Sequence, residues 1–241
     1  MKKAIGEYIV FLDADDLWYP NHLSQFIESI SLFPNQKIFC NNYEIALGKG
    51  VTKETHFSIL FDETPYLVTN FFRASLKNSI AWTSAICIER ELFEDHKFDE
   101  EIRSGQDTDL WIVLGLKFPF VFHKNVSAIH RKWIVNSLSK TKNINSRKLI
   151  LDKYSSFQYN DAHFEHYLNQ LRFSLWLQAK CDEQLVIAQQ LQSNLLVKYL
   201  SFKQKIVLRC SPKQLRQLLF IKKSIRYCVY YLTYVKKGMC L

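Results

Sequence analysis

The chain has 241 residues, 48% of them hydrophobic and 15% aromatic, which excludes a disordered or low-complexity protein and provides enough apolar side chains for a sizeable core. The net charge of +9 is unevenly placed: residues 184–241 hold 11 Lys or Arg and no Asp or Glu, whereas the first 183 residues hold 21 basic and 23 acidic residues. The six cysteines (40, 87, 181, 210, 228 and 240) lack CxxC or other metal-ligand spacing, which argues against a zinc module and fits a reducing cytoplasm. Residues 1–6 contain no apolar segment of the signal-peptide kind, and the late apolar run 227–235 is far short of the ~20 residues that span a bilayer.

The first informative element is Glu7–Trp18, EYIVFLDADDLW. Tyr8–Leu12 is short, β-branched and aromatic without polar alternation, and predicts a strand buried on both faces. It ends on Asp13, Asp15 and Asp16, where ligands of open α/β sheets bind beyond the carboxyl ends of strands. In an extended segment Asp13 and Asp15 point the same way and can face one cation, and oxygen-only ligation suits Mg²⁺ or Mn²⁺. The alternative is a turn whose acidic residues only cap the next helix. Pro20 is placed for the first position of that helix, with Leu23, Phe26, Ile27 and Ile30 forming its apolar stripe before Pro34.

Strands are expected within Lys37–Leu47, at Ser84–Glu89 and at Phe118–His123, with a loop-rich insertion over Lys49–Asn70 and a short helix near Glu91. Gly105 breaks the chain before an apolar helix over Thr108–Lys117, so Asp107 falls at or just before a helix N-terminus, whose dipole favours the charged carboxylate. Strands alternating with helices indicate an α/β sheet. From about Ser146 the pattern becomes helical throughout, through 164–175 and 185–195 to a final basic amphipathic helix over 212–237.

The stretch GEYIVFLDADDLWYPNHL resembles the DxD segment of family 2 glycosyltransferases, the inverting group with the GT-A fold. A second block, FDEEIRSGQDTDLWIVLGLKFP, resembles the family's later segment, in the family's order and at a plausible separation. The resemblance covers roughly residues 1–140 and implies an incomplete GT-A, Rossmann-like sheet domain, followed by a basic helical region over 146–241. In the family a strand, a helix and another strand with an acidic turn precede the DxD segment and hold the base and ribose; here only residues 1–6 precede Glu7.

The resemblance assigns metal binding chiefly to Asp15, with Asp13 aiding the ribose or the metal, and makes Asp107 the catalytic base; a plain helix cap is the alternative for Asp107. Asp16 is left between these roles and a helix cap. Gln106 stands where the family carries Glu and retains the ability to hydrogen-bond an acceptor sugar. Arg131 is the candidate diphosphate partner, by bidentate geometry. His130 is either a third metal ligand or a satisfied structural histidine. Trp82, Thr83 and Ser84 fall where relatives line the acceptor pocket, and Trp82 either stacks on a sugar or belongs to the core.

The function implied is transfer, with inversion, from a nucleotide-sugar donor to a glycan or lipid-linked acceptor in cell-surface polysaccharide synthesis. The competing reading is a non-catalytic remnant or glycan-binding protein without the donor half. The tail over 212–237 suits an anionic membrane surface, which places the protein in the cytoplasm and peripherally at the inner face of the membrane. Ordinary packing with a solvated basic face is the bland alternative, and nucleic acid is a poorer one because no binding motif accompanies the charge.

Overall fold

The computed structural model describes residues 3–48, 51–131, 143–155 and 161–236, and within the last helix the side chains up to 222 together with 224 and 225. It divides into two compact units, Met1–Thr141 and Lys142–Leu241.

In the first unit the elements are β1 (Tyr8–Val10), β2 (Leu17–Trp18), α1 (His22–Leu32), β3 (Ile38–Gly48), β4 (Val51–Glu54), β5 (Tyr66–Val68), α2 (Phe71–Ala74), β6 (Ile86–Glu89), α3 (Leu92–Asp95), α4 (Gln106–Gly115) and β7 (Phe120–Arg131). A 3-10 turn over Thr83–Ala85 leads into β6. The sheet order is β1-β6-β3-β7-β2, with β4 added to β3 and β5 to β7. β3 and β7 are parallel, while β6 runs antiparallel to both β1 and β3. β1, β3 and β7 therefore run the same way, and their carboxyl ends lie along one edge of the sheet, where β6 begins. This is a mixed α/β sheet of Rossmann-like character.

Burial explains these strands. Ile38, Phe39 and Cys40 of β3, Ile86, Cys87 and Ile88 of β6 and Phe120, Val121 and Phe122 of β7 are all buried, as expected of central strands covered on both faces. Phe26, Phe39, Cys87 and Val121 form one core cluster, with Tyr8, Val10, Ile30, Phe33 and Leu67 around it. A second cluster, Tyr43, Ile45, Ala85 and Ala128, has Trp18, Leu47 and Trp82 against it, and so underlies the carboxylate-bearing edge.

Several local expectations are corrected. β1 ends at Val10, only Ile9 of its three residues is buried, and Leu12 is exposed. It has a single hydrogen-bonded neighbour among the described residues, so it behaves as an edge strand. α1 starts at His22 with Asn21 before it, leaving Pro20 in the preceding turn. Its buried face is His22, Gln25, Phe26 and Ser29, whereas Leu23 and Ile27 face solvent. The buried stripe keeps helical spacing but is polar in part, because Asn41 and Ser127 lie beneath it: Asn41 Nδ2 donates to the His22 carbonyl, and His22 Nδ1 lies 2.9 Å from Ser127 Oγ. The expected loop of 49–70 contains β4 and β5, too short to carry a periodic signal.

The second unit is helical: α5 (Ile144–Lys153), α6 (Ala162–Cys181), α7 (Leu185–Ser193), α8 (Phe202–Leu208) and α9 (Pro212–Lys236). Residue 237, the expected end of the last helix, lies outside the described residues. α6 is its spine: Asp161 caps it by accepting from the His163 and Phe164 amides, and it buries Phe164, Phe173, Leu175, Trp176 and Ala179. Ala188 and Leu191 of α7 and Leu215 of α9 are buried in the same unit.

Candidate active site

The carboxylates after β1 do not lie in extended chain. The Asp16 amide donates to the Asp13 carbonyl at 3.0 Å, so Asp13–Asp16 form a tight turn, and strand alternation does not set the directions of Asp13 and Asp15. Leu17 and Trp18 then pair with Ile129 and Ala128 of β7, which brings the turn beside the end of that strand.

Asp16 is the hub. It is almost fully buried, and its Oδ2 accepts from Trp82 Nε1 at 2.8 Å and Ser84 Oγ at 2.7 Å. Its Oδ1 accepts from the Arg131 amide at 3.1 Å and faces His130 Nδ1 at 3.4 Å. Burial alone would raise its pKa, but the contacts with His130, Ser84 and Trp82 outweigh burial and hold the carboxyl below its ordinary value. Ser84 Oγ also accepts from the Asp13 amide at 3.0 Å, Trp18 Nε1 donates to the Ser84 carbonyl, and Arg131 Nε donates to the Asp15 carbonyl. One buried carboxylate thus ties together the turn after β1, the entry to β6 and the end of β7.

Asp13 is in the opposite condition. Its pKa is pushed up to about 6, first by burial and then by the negative charges of Asp16, Asp15 and Asp107. Its carboxylate has no hydrogen-bond partner among the described residues. The structure therefore brings Asp107 into the electrostatic field of the turn, although the two are far apart in sequence.

Asp107 occupies the first turn of α4, after Gly105, which adopts φ 89°, a left-handed conformation that favours glycine. Its Oδ1 accepts from the Thr108 amide at 2.7 Å, which fixes its orientation. Gln106 is exposed at the start of the same helix, which begins two residues before the expected Thr108.

The other expected site residues divide. Ser84 is fully buried with its hydroxyl spent on Asp16 and Asp13, so it positions the turn and does not line a pocket. His130 is buried, faces Asp16, and packs edge-on against Trp82 with ring centres 3.8 Å apart. Trp82 is half-buried and also packs near Tyr43, and Thr83 is half-buried in the 3-10 turn. Among the described residues no group of three or more His, Cys, Asp or Glu is arranged to hold a metal ion by itself. The role of Asp16 is the feature that sequence reasoning missed. Its one available signal was Leu17-Trp18, a bulky pair too short to announce a strand, whose pairing with β7 seals the carboxylate.

Comparison with known proteins adds to this geometry. Residues 1–97 match glycosyl transferase family 2. An uncharacterized glycosyltransferase of Rickettsia conorii is 33% identical over 118 residues, covering 48% of this chain and 18% of that protein. An uncharacterized glycosyltransferase of Rickettsia felis is 32% identical over 123 residues, with the same two shares. A putative colanic acid biosynthesis glycosyl transferase of Escherichia coli K12 is 27% identical over 116 residues, covering 48% of this chain and 39% of the relative. The matched part of the chain thus spans less than half the length of each of these relatives.

Proposed function

We propose, from the similarity of residues 1–97 to glycosyl transferase family 2, that the chain transfers a sugar, with inversion, from a nucleoside diphosphate donor to a glycan or lipid-linked acceptor. The observation that carries the reading is the gathering of Asp13, Asp15, Asp16 and Asp107 at one edge, where burial first and the neighbouring carboxylates second push the Asp13 pKa up to about 6. Uncompensated negative charge of this kind fits a divalent cation with oxygen ligands, so Asp13 and Asp15 would hold Mg²⁺ or Mn²⁺, with substrate oxygens and water completing its shell. His130 is not needed in that set, because Asp16 already engages it. The bound cation supplies Lewis-acid stabilisation of the diphosphate oxygens.

The remaining chemistry falls to the chain's own residues. Arg131, clamped to the Asp15 carbonyl, brings a guanidinium to the carboxylate edge, where it would complement the diphosphate. Asp107 would take the proton from the acceptor hydroxyl as that oxygen bonds to the anomeric carbon. The bond from that carbon to the diphosphate breaks on the opposite face, its electron pair leaving with the phosphate oxygen, and a single displacement of this kind inverts the centre. Trp82, Thr83 and Gln106 are the acceptor-side candidates. The name of the Escherichia coli relative, a putative colanic acid biosynthesis glycosyl transferase, supports a setting in polysaccharide synthesis.

The test is release of nucleoside diphosphate from a panel of sugar nucleotides in Mn²⁺, with the full chain and its Asp107→Asn variant. The variant is expected to lose at least ~10²-fold in turnover, the usual cost of removing a general base, while donor affinity changes little. Full turnover in the variant would remove Asp107 from the chemistry. Glycan binding with neither donor binding nor turnover in the unaltered chain would favour a glycan-binding protein without the donor half.

A further inference from the structure

The second unit carries an unpartnered amphipathic surface that the transfer chemistry does not use. On α9, Leu215 is buried in the helical unit, while Leu218, Ile221 and Ile225 recur at i, i+3 and i+7 and are 47%, 51% and 59% exposed. The next positions in that register are Val229 and Leu232. Lys222 falls on the flank of this stripe by helical position. α8 repeats the combination, with Phe202 and Ile206 exposed next to Lys203 and Lys205 and with Arg209 just beyond.

We propose that the exposed face of α8 and α9 docks on the surface of a bilayer rich in anionic phospholipid. Charge selects this occupant. Residues 184–241 carry 11 basic side chains and no acidic one, and Lys203, Lys205, Arg209, Lys213 and Lys222 have no ion-pair partner among the described residues. A solvated basic face needs no row of exposed leucine and isoleucine, and a self-association surface gains nothing from bringing two such cationic faces together. An interfacial helix uses both features, its apolar side chains entering the acyl boundary while lysine and arginine meet the headgroups. No described helix is long and apolar enough to cross a membrane, so the contact is peripheral. At 25 residues and ~1.5 Å per residue, α9 has room to lie along the surface over several turns. The inference rests on the second unit alone and stands whether or not the carboxylates of the first unit bind a metal.

The test is co-sedimentation of the full chain with vesicles of neutral phosphatidylcholine, with and without phosphatidylglycerol. Binding is expected only with the anionic lipid, with at least a tenfold loss at high salt. Each Lys or Arg near such a surface strengthens binding by about fivefold, so the Lys213→Glu, Lys222→Glu variant should bind at least ~25-fold more weakly. The Ile221→Asp, Ile225→Asp variant should also lose binding while keeping its helical content and melting temperature, because both side chains are exposed. Equal sedimentation with neutral vesicles, or binding untouched by both variants, would overturn the proposal. Retention on single-stranded RNA without vesicle binding would overturn it in favour of nucleic acid. A dimer that the isoleucine variant dissociates, again without vesicle binding, would overturn it in favour of a second copy.

Discussion

Asp13 should be replaceable at a profit to stability. In the folded chain its pKa is raised from 3.8 to about 6, first by burial and then by Asp16, Asp15 and Asp107. Such a difference corresponds to about 3 kcal/mol against the ionised form. Asp13 is only partly buried, so water and salt reduce this to roughly 1–2 kcal/mol. The sign is the reverse of a salt-bridged aspartate: below pH 3.8 the group is protonated in both states and costs nothing, and the penalty grows as pH rises through 3.8 to 6 and is complete above it. Asp13→Asn keeps the shape and removes the charge. Thermal unfolding followed by circular dichroism in a chelator at pH 7.5 should therefore give a melting temperature roughly 3–8 °C higher for the variant. At pH 4 most of the difference should be gone, and saturating Mn²⁺ should raise the unaltered chain more than the variant. A variant less stable at pH 7.5, or a gain that persists unchanged at pH 4, would refute the reasoning.

Asp16 should behave in the opposite way, because Asp16→Ala leaves Trp82 Nε1, Ser84 Oγ and the Arg131 amide without their acceptor; we expect a loss of about 3–5 kcal/mol and a melting temperature lower by roughly 10 °C or more in the same assay. His22 is buried, and burial lowers its pKa from 6.5 to about 4 despite its contact with Ser127, so it is neutral in the fold and gains a proton on unfolding. Its contribution is present above pH 6.5 and is lost as pH falls towards 4, amounting to about 2 kcal/mol between pH 7 and pH 5. Chemical denaturation at those two pH values should show a smaller pH dependence in His22→Gln by that amount.

Much of the framework was legible because burial and periodicity agreed. The apolar runs at 38–40, 86–88 and 120–122 are central strands, and the helical spacing of Phe164, Leu168, Leu175, Ala188 and Leu191 reports faces that are in fact buried. The matched blocks led to the two carboxylate-bearing segments, and the structure brings these into one electrostatic neighbourhood. Polar burial was not legible. His22 and Asn41 are interior because they answer one another or β7, and a hydropathy pattern scores them as surface. The same reason hid Asp16, which reads as one of three acidic residues in a turn until Trp82, Ser84 and β7 close over it. Leu23 and Ile27 misled in the other direction, since an exposed leucine costs a fold little.

The central claim is that Asp13 and Asp15 hold a divalent cation together with the diphosphate of a sugar nucleotide. Titration calorimetry of the full chain with a nucleoside diphosphate, with and without Mn²⁺, tests it most directly. The account predicts that each ligand tightens the other's binding and that Asp15→Ala abolishes this coupling without lowering the melting temperature. Diphosphate binding indifferent to Mn²⁺, or coupling intact in Asp15→Ala, would contradict it.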